Sequence, residues 1–336
     1  MAAPFMELRT NTSFADIARI LREANTIALV SHVRPDGDAV GSLLGLALSL
    51  QLMGKTVHPM LEDGVPDNLM FLPGTNLVTR PTGEVLKGID LAVALDTATH
   101  ERIGEGCVVA LSGAGKLLNI DHHGSNPGYG DLHYIDSREP AVGQIIYNLL
   151  QETDMPMDDA VRQHLFAAIS TDTGSFQFSC TTARSHRIAA EMIDAGLDIA
   201  TLCRSLYHTY PKRRLQLMQA LLNEMTFCAD DRIVSWILTQ QLMDAVGVQP
   251  GDTEGLIDTL RAVDSVISAV IFEEVADGKI RVSARSKDTR LNVANICAKF
   301  GGGGHAMAAG ARIKGTAAEA AKKFLEALEH EVSRIA

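Results

Sequence analysis

The chain has 336 residues, 46% of them hydrophobic and 21% charged. This globular balance excludes disorder, and the length suits two domains of roughly 100–200 residues rather than one core. A formal net charge of −11 argues against the broad basic surface that a long nucleic-acid polymer requires and favours a small ligand or a local basic patch. Five scattered cysteines with no C-x-x-C spacing exclude a disulfide framework and a thiolate zinc site, and fit a reducing compartment.

At the start of the chain, Glu7, Arg9, Asp16 and Arg19 interrupt every apolar stretch, so no secretory leader is expected. Residues 39–53, the longest uncharged run considered, fall short of the ~20 a membrane span needs. A cytoplasmic location without a membrane partner follows as the expectation. Residues 26–31 (TIALVS) read as a buried strand, 38–53 as a helix and 55–61 as the next strand. The strand pattern recurs at 90–96 (DLAVALD) and 116–121 (KLLNID), so short apolar runs alternate with amphipathic ones, as in a parallel α/β sheet with helices on both faces. Helices are expected over 140–152, with Pro140 near the first turn, over 157–170 and over 182–195. A polar stretch around 207–214 (YHTYPKRR) marks a connection, giving expected domains of 1–205 and 206–336. The second domain reads as smaller and mixed α/β: strands at 232–239, 265–273 and 279–285, helices at 252–263, 292–300 and 316–335.

Four separate segments each carry Asp or His to a point where a regular element ends. His32, Asp36 and Asp38 lie in SHVRPDGDA, where Pro35 and Gly37 disfavour continued regular structure. Asp96 ends a strand in ALDTA. Asp121, His122 and His123 end another in NIDHHG, and Asp172 lies in STDTG, where a helical pattern breaks. In open α/β sheets, ligands gather at the carboxyl ends of strands. Singly, each piece has a bland reading as a turn, a cap or a surface pair. One site explains all four together. Oxygen and imidazole ligands without thiolates suit Mn²⁺ or Mg²⁺, imidazole tilting the choice to Mn²⁺. So many carboxylates suit two divalent cations that share ligands and activate a water for in-line attack on phosphorus.

These residues resemble the DHH phosphoesterase superfamily. The resemblance is carried by His32-x-x-Pro35-Asp36-Gly37-Asp38-Ala39, Asp96, the Asp121-His122-His123 tripeptide and Asp172-Thr173-Gly174. Arg285-Ser286-Lys287 and Gly301-Gly302-Gly303-Gly304-His305, followed by Ala308-Ala309-Gly310, resemble the DHHA1 domain of one branch. The resemblance implies an N-terminal DHH domain with a parallel sheet, followed by a smaller DHHA1 substrate-binding domain. It implies that His32, Asp36, Asp96 and Asp172 hold one Mn²⁺. The other would be held by Asp38, Asp96, His122 and Asp172, with Asp96 and Asp172 shared. Asp121 would orient an imidazole, and His123 would contact the scissile phosphate or protonate the leaving oxygen. Relatives often place a Glu after small residues where this chain has Ala141-Val142-Gly143-Gln144, so Gln144 puts any such role in doubt.

Residues 279–314 carry eight Lys/Arg against the single acid Asp288, a basic segment in an acidic chain, as a phosphate-binding surface requires. Arg285 and Ser286 end a strand before a turn, whereas Lys279, Arg312 and Lys314 read as solvated faces. The glycine run lets backbone approach a ligand, so Gly302, Gly303, Gly304 and His305 join Arg285 and Ser286 as candidate substrate-binding residues. Aromatics are only 5%, too sparse for an extended stacking platform. The resemblance implies an enzyme similar to the nanoRNases, hydrolysing short RNA or DNA oligonucleotides to mononucleotides and, as many relatives do, dephosphorylating nucleotide bisphosphates such as 3′-phosphoadenosine 5′-phosphate; a homodimer stays open. The alternatives are a cyclic or linear dinucleotide phosphodiesterase and, in another class, a non-catalytic nucleotide sensor.

Overall fold

The computed structural model describes residues 8–249, 251–253, 255–275 and 277–335. The chain divides into two compact units, 1–209 and 210–336. In the first, six strands and seven helices follow as β1 (Leu8–Thr10), α1 (Phe14–Glu23), β2 (Thr26–Val30), α2 (Gly37–Leu52), β3 (Thr56–Met60), β4 (Leu91–Leu95), α3 (Glu105–Leu111), β5 (Leu117–Asp121), β6 (Leu132–Asp136), α4 (Val142–Glu152), α5 (Asp159–Asp172), α6 (Ala183–Asp194) and α7 (Ile199–Tyr207). The sheet order is β1-β6-β5-β4-β2-β3, parallel throughout except for β1, which runs antiparallel to β6.

The continuous apolar runs of β2 and β4 have a simple cause: both sheet faces are covered. Ile27, Leu29, Leu91, Val93 and Leu95 face the large core built with α1, α2, α4, α5 and α6. Ala28, Val30, Ala92 and Ala94 face the opposite cluster with Ile103 and the α3 residues Cys107, Ala110 and Leu111. Strand β6 was not anticipated, because LHYID is half polar and its first three residues are only partly buried. Pro140 lies just before the N-cap Ala141 rather than inside α4.

The second unit runs α8 (Lys212–Glu224), β7 (Thr226–Cys228), β8 (Ile233–Leu238), α9 (Gln240–Val246), α10 (Leu256–Arg261), β9 (Ser268–Glu274), β10 (Lys279–Ser286), α11 (Val293–Ala298), β11 (Gly303–His305), β12 (Ala308–Lys314) and α12 (Ala317–Val332). Its sheet order is β11-β12-β10-β9-β8-β7. Only β8 and β9 pair in parallel, which makes this the mixed sheet. Val270 and Phe272 face α11 and α12, while Ala269 and Ile271 face α8 and α10. The expected polar connection over 207–214 is interrupted by structure: α8 begins at Lys212, because Leu217 and Leu221 supply a buried stripe.

Candidate metal centre

The loop after β2 is shaped by its own sequence. Ser31 donates to the Leu95 carbonyl at 2.8 Å and ties the ends of β2 and β4 together. Arg34 turns the chain at φ 55°, and Asp36 then caps α2, its Oδ1 accepting from the amides of Asp38 and Ala39 at 3.1 Å. Gly37 has to be glycine: a Cβ there would lie 2.3 Å from Thr171 Oγ1 on α5. That close approach of α2 to α5 brings Asp38 and Asp172 together.

Asp96, directly after β4, has a left-handed backbone at φ 54°, a conformation that costs a non-glycine residue on the order of 1 kcal/mol and that Asp tolerates better than most. The turn aims its carboxylate between two imidazoles. Oδ2 lies 3.3 Å from His32 Nε2, and Oδ1 lies 3.5 Å from His122 Nε2. His32 Nε2 is also 3.7 Å from Asp36 Oδ1, and His122 Nε2 is 3.4 Å from Asp172 Oδ2. Potential donor atoms of His32, Asp36 and Asp96 fall within 4.8 Å of one another, as do those of Asp38, His122 and Asp172 and those of Asp96, His122 and His123. All six sequence-nominated ligands therefore belong to one cluster, and Asp96 touches both halves of it.

The donor set fits divalent cations. His32 Nδ1 donates to the Val33 carbonyl at 2.9 Å, and His122 Nδ1 faces the Glu139 carbonyl at 3.3 Å. With Nδ1–H fixed on a carbonyl, a neutral ring presents the lone pair of Nε2 to the carboxylates, the tautomer a metal ligand needs. Among the described residues, buried Asp96 Oδ1 meets no donor in hydrogen-bonding geometry, His122 Nε2 standing 3.5 Å away, a costly state that a cation would relieve. Electrostatics point the same way. Burial opposes the charging of His32 and His122, yet Asp36 and Asp96 raise the first well above the usual imidazole range, and Asp96 and Asp172 do the same for the second. Burial, reinforced by the charges of neighbouring carboxylates, pushes Asp38 and Asp172 well above the ordinary carboxyl range. Asp96 is held well below it: burial works against its charge, but the facing imidazoles of His122 and His32 prevail. The cluster thus demands positive charge, which protons on two histidines supply when nothing else does.

Asp38 has a second duty. Its fully buried carboxylate accepts from the amides of Val142 at 2.6 Å and Gly143 at 2.8 Å, capping α4 from a neighbouring helix. Gly143 is required there, since a Cβ would lie 2.3 Å from that of Ala168. Gln144, standing where a carboxylate was looked for, is buried and donates to Glu139 through Nε2.

Asp121 is buried at the end of β5 and accepts from His123 Nδ1 at 2.8 Å. His123 remains about a quarter exposed at the rim. Asn126, which nothing in the sequence singled out, donates to the other oxygen of Asp121 at 2.7 Å.

In the second unit, the nominated residues divide between structure and surface. Ser286 is fully buried; its hydroxyl donates to the Asp288 carbonyl at 2.9 Å and accepts from the Asp288 amide at 3.1 Å, so it helps build the turn after β10. Lys287 Nζ donates to the carbonyls of Val263 and Asp264. Arg285 differs: among the described residues its guanidinium donates to the Ala284 carbonyl at 3.2 Å and to no other group, and burial lowers its pKa from the usual arginine value. The glycine run is not a continuous loop. Gly301, at φ 73°, and the Gly302 amide, which donates to the Cys297 carbonyl at 2.9 Å, terminate α11. A Cβ on Gly302 would lie 2.1 Å from the Gly310 carbonyl oxygen. Gly303, Gly304 and His305 form the exposed outer strand β11.

Comparison with known proteins identifies the family. The DHH family's N-terminal domain matches residues 26–169, and the DHHA1 domain matches residues 236–334. A protein of Thermus thermophilus named "Bifunctional oligoribonuclease and PAP phosphatase NrnA" is 32% identical, with 95% of this chain and 94% of the relative covered. A Bacillus subtilis protein of the same name is 30% identical over 89% of this chain and 92% of its own length. The crystal structure of an exopolyphosphatase-related protein from Bacteroides fragilis superposes with a TM-score of 0.85 at 26% identity, covering 94% of this chain and 95% of its own.

Proposed function

The chain belongs to the DHH family and is a phosphoesterase, and from that membership we propose that it uses two divalent cations, Mn²⁺ before Mg²⁺, to hydrolyse short oligonucleotides to mononucleotides and to remove a phosphate from 3′-phosphoadenosine 5′-phosphate. The observation that carries the reading is Asp96, whose two oxygens face two different His/Asp groups. The relatives named above as oligoribonucleases and PAP phosphatases support the substrate class.

His32 and Asp36 would hold one cation and Asp38 and His122 the other, with Asp96 and Asp172 contributing to both. When bound, such a pair supplies Lewis acids for the phosphoryl oxygens and a water acidic enough to attack phosphorus in line. With Nδ1–H held on Asp121, the atom of His123 available to the leaving oxygen is Nε2. Arg285 and His305 bind a substrate phosphate, and β11 offers exposed backbone beside them. Few aromatic side chains and a net negative charge suit substrates of a few nucleotides.

The test is a panel of labelled two- to five-nucleotide RNAs, 3′-phosphoadenosine 5′-phosphate and cyclic dinucleotides, assayed with Mn²⁺, with Mg²⁺ and with chelator. The expected result is release of mononucleotides and adenosine 5′-phosphate in either metal, faster in Mn²⁺ and stopped by chelation. Cleavage of cyclic dinucleotides while linear RNAs stay intact would overturn the substrate assignment.

A further inference from the structure

Behind the histidines lies a buried amide network whose orientation is fixed by its own donors and acceptors. Asn126 Oδ1 accepts from the Gly128 amide at 2.8 Å, so its NH₂ group must point the other way. That group donates to Asp121 Oδ2 at 2.7 Å, to Asn119 Oδ1 at 2.8 Å and to the Thr97 carbonyl at 3.1 Å. Asn119 is oriented equally firmly, its Nδ2 donating to the Ala94 carbonyl and the Thr97 hydroxyl at 3.2 Å. Asn119, Asn126 and Asp121 are all fully buried.

The network joins the two strand ends that carry the cluster. Ala94 and Thr97 flank Asp96 at the end of β4, and Asp121 precedes the two histidines at the end of β5. A buried carboxylate with one hydrogen-bonding partner can swing about its side-chain bonds; with one oxygen on Asn126 and the other on His123 it has a single setting. A small-residue or hydrophobic substitute at 126 would leave Asp121 with half its acceptor capacity empty in a low-dielectric site.

We propose that Asn126 is a positioning residue of the hydrolase: through its donation to Asp121 it fixes the tautomer and the aim of His123 and keeps the ends of β4 and β5 in register. The role rests on the reaction proposed above, and Asn126 itself touches no reacting atom. It acts only through Asp121.

Asn126→Asp separates this role from mere filling of space. The variant keeps the size of the side chain and an acceptor for the Gly128 amide, but as a carboxylate it cannot donate to Asp121; Asn126→Ala, which removes the donor without adding an ionisable group, is made beside it. We expect kcat to fall about 10–100-fold, the usual effect of losing such an outer partner, with KM changed less than about twofold. In the Asp121→Asn background, the same substitution at 126 should cost nothing further, because the partner it acts through is gone. Full additivity of the two effects would overturn the proposal. Independently of turnover, ¹⁵N-histidine spectra of the Mg²⁺-supplied protein should show His123 protonated at Nδ1 in the wild type and a mixture of tautomers in Asn126→Asp; an unchanged His123 signal would also overturn it. Should Asn126→Asp fail to fold, Asn126→Ala, which has no donor and adds no charge, should show the same mixture. If the wild type proved inactive on every short nucleotide, the substrate reading would fail while the spectra still decided the role of Asn126.

Discussion

The two units treat their nominated residues in opposite ways. In the first, the cluster side chains are mostly buried, and nearly every polar atom facing away from the cluster is fixed: Nδ1 of His32 on a carbonyl, Asp36 on two amides, Asp38 on two more, Asp121 on His123 and Asn126. In the second, Gly303, Gly304 and His305 lie on an exposed outer strand, and among the described residues the Arg285 side chain donates only to the Ala284 carbonyl. The contrast is what the proposed reaction would ask for. Holding cations would require side chains set before the substrate arrives, whereas gripping a phosphate would require reachable donors. Within Arg285-Ser286-Lys287 the hydrogen bonding is uneven: Ser286 and Lys287 bond to neighbouring backbone, and on the proposed reaction Arg285 is the residue that would meet a phosphate.

The sharpest way to break the comparison is Asp96→Asn, which keeps shape but removes the charge facing both histidines. If the cluster is the reaction centre, losing several kcal/mol of charge stabilisation should lower kcat on the order of 10³-fold or more in a Mn²⁺-supplied assay. Retention of wild-type kcat would remove the two-cation mechanism.

Rigidity in the first unit also has a pH signature. His164, buried on the helix that ends in Asp172, donates from Nε2 to the Pro73 carbonyl, and burial pushes its pKa down to about 4. Above pH 6.5 the ring is neutral whether the chain is folded or not, and it contributes no pH dependence. As the pH falls from 6.5 to 4, the unfolded chain takes up a proton that the folded chain refuses, so stability is lost, by about 3 kcal/mol in total. His164→Gln keeps a donor for Pro73 without titrating. Its urea-unfolding free energy should fall less steeply than that of the wild type over this window, by about 1.4 kcal/mol per pH unit; parallel slopes would contradict the assignment.

Much of this architecture was legible in the sequence. Strands with both faces covered announce themselves as continuous apolar runs, and β2, β4 and β5 fall within a residue or two of their expected limits. Strand β12 (AAGARIK) did not, because small residues on an antiparallel strand carry no apolar pattern. Among the site residues, Asp and His at strand ends could be read because several segments repeated the theme. Asn126 could not: it lies in HGSNPGYG, where Asn beside Pro and Gly is ordinary turn composition, and its partners Asn119 and Thr97 are set by the pairing of β4 with β5. Nor could the sequence say which cation in a basic stretch is already engaged.

Arg285 and Ser286 turn the contrast within the second unit into a paired measurement. A guanidinium donating to a substrate phosphate is worth about 1.5–3 kcal/mol, so Arg285→Ala should raise KM for a dinucleotide roughly 10–100-fold with a smaller change in kcat. Ser286→Ala, one position away, should do the reverse of what its place in the motif suggests. It removes a hydroxyl that both donates to and accepts from Asp288, so it should lower unfolding stability by about 1 kcal/mol and leave KM within about twofold. Because Asp288 is only partly buried, water can replace part of what is lost, which keeps the effect at the small end. Equal rises in KM for both variants would mean that the turn and the guanidinium act as one binding element, and the division drawn between Arg285 and Ser286 would have to be given up.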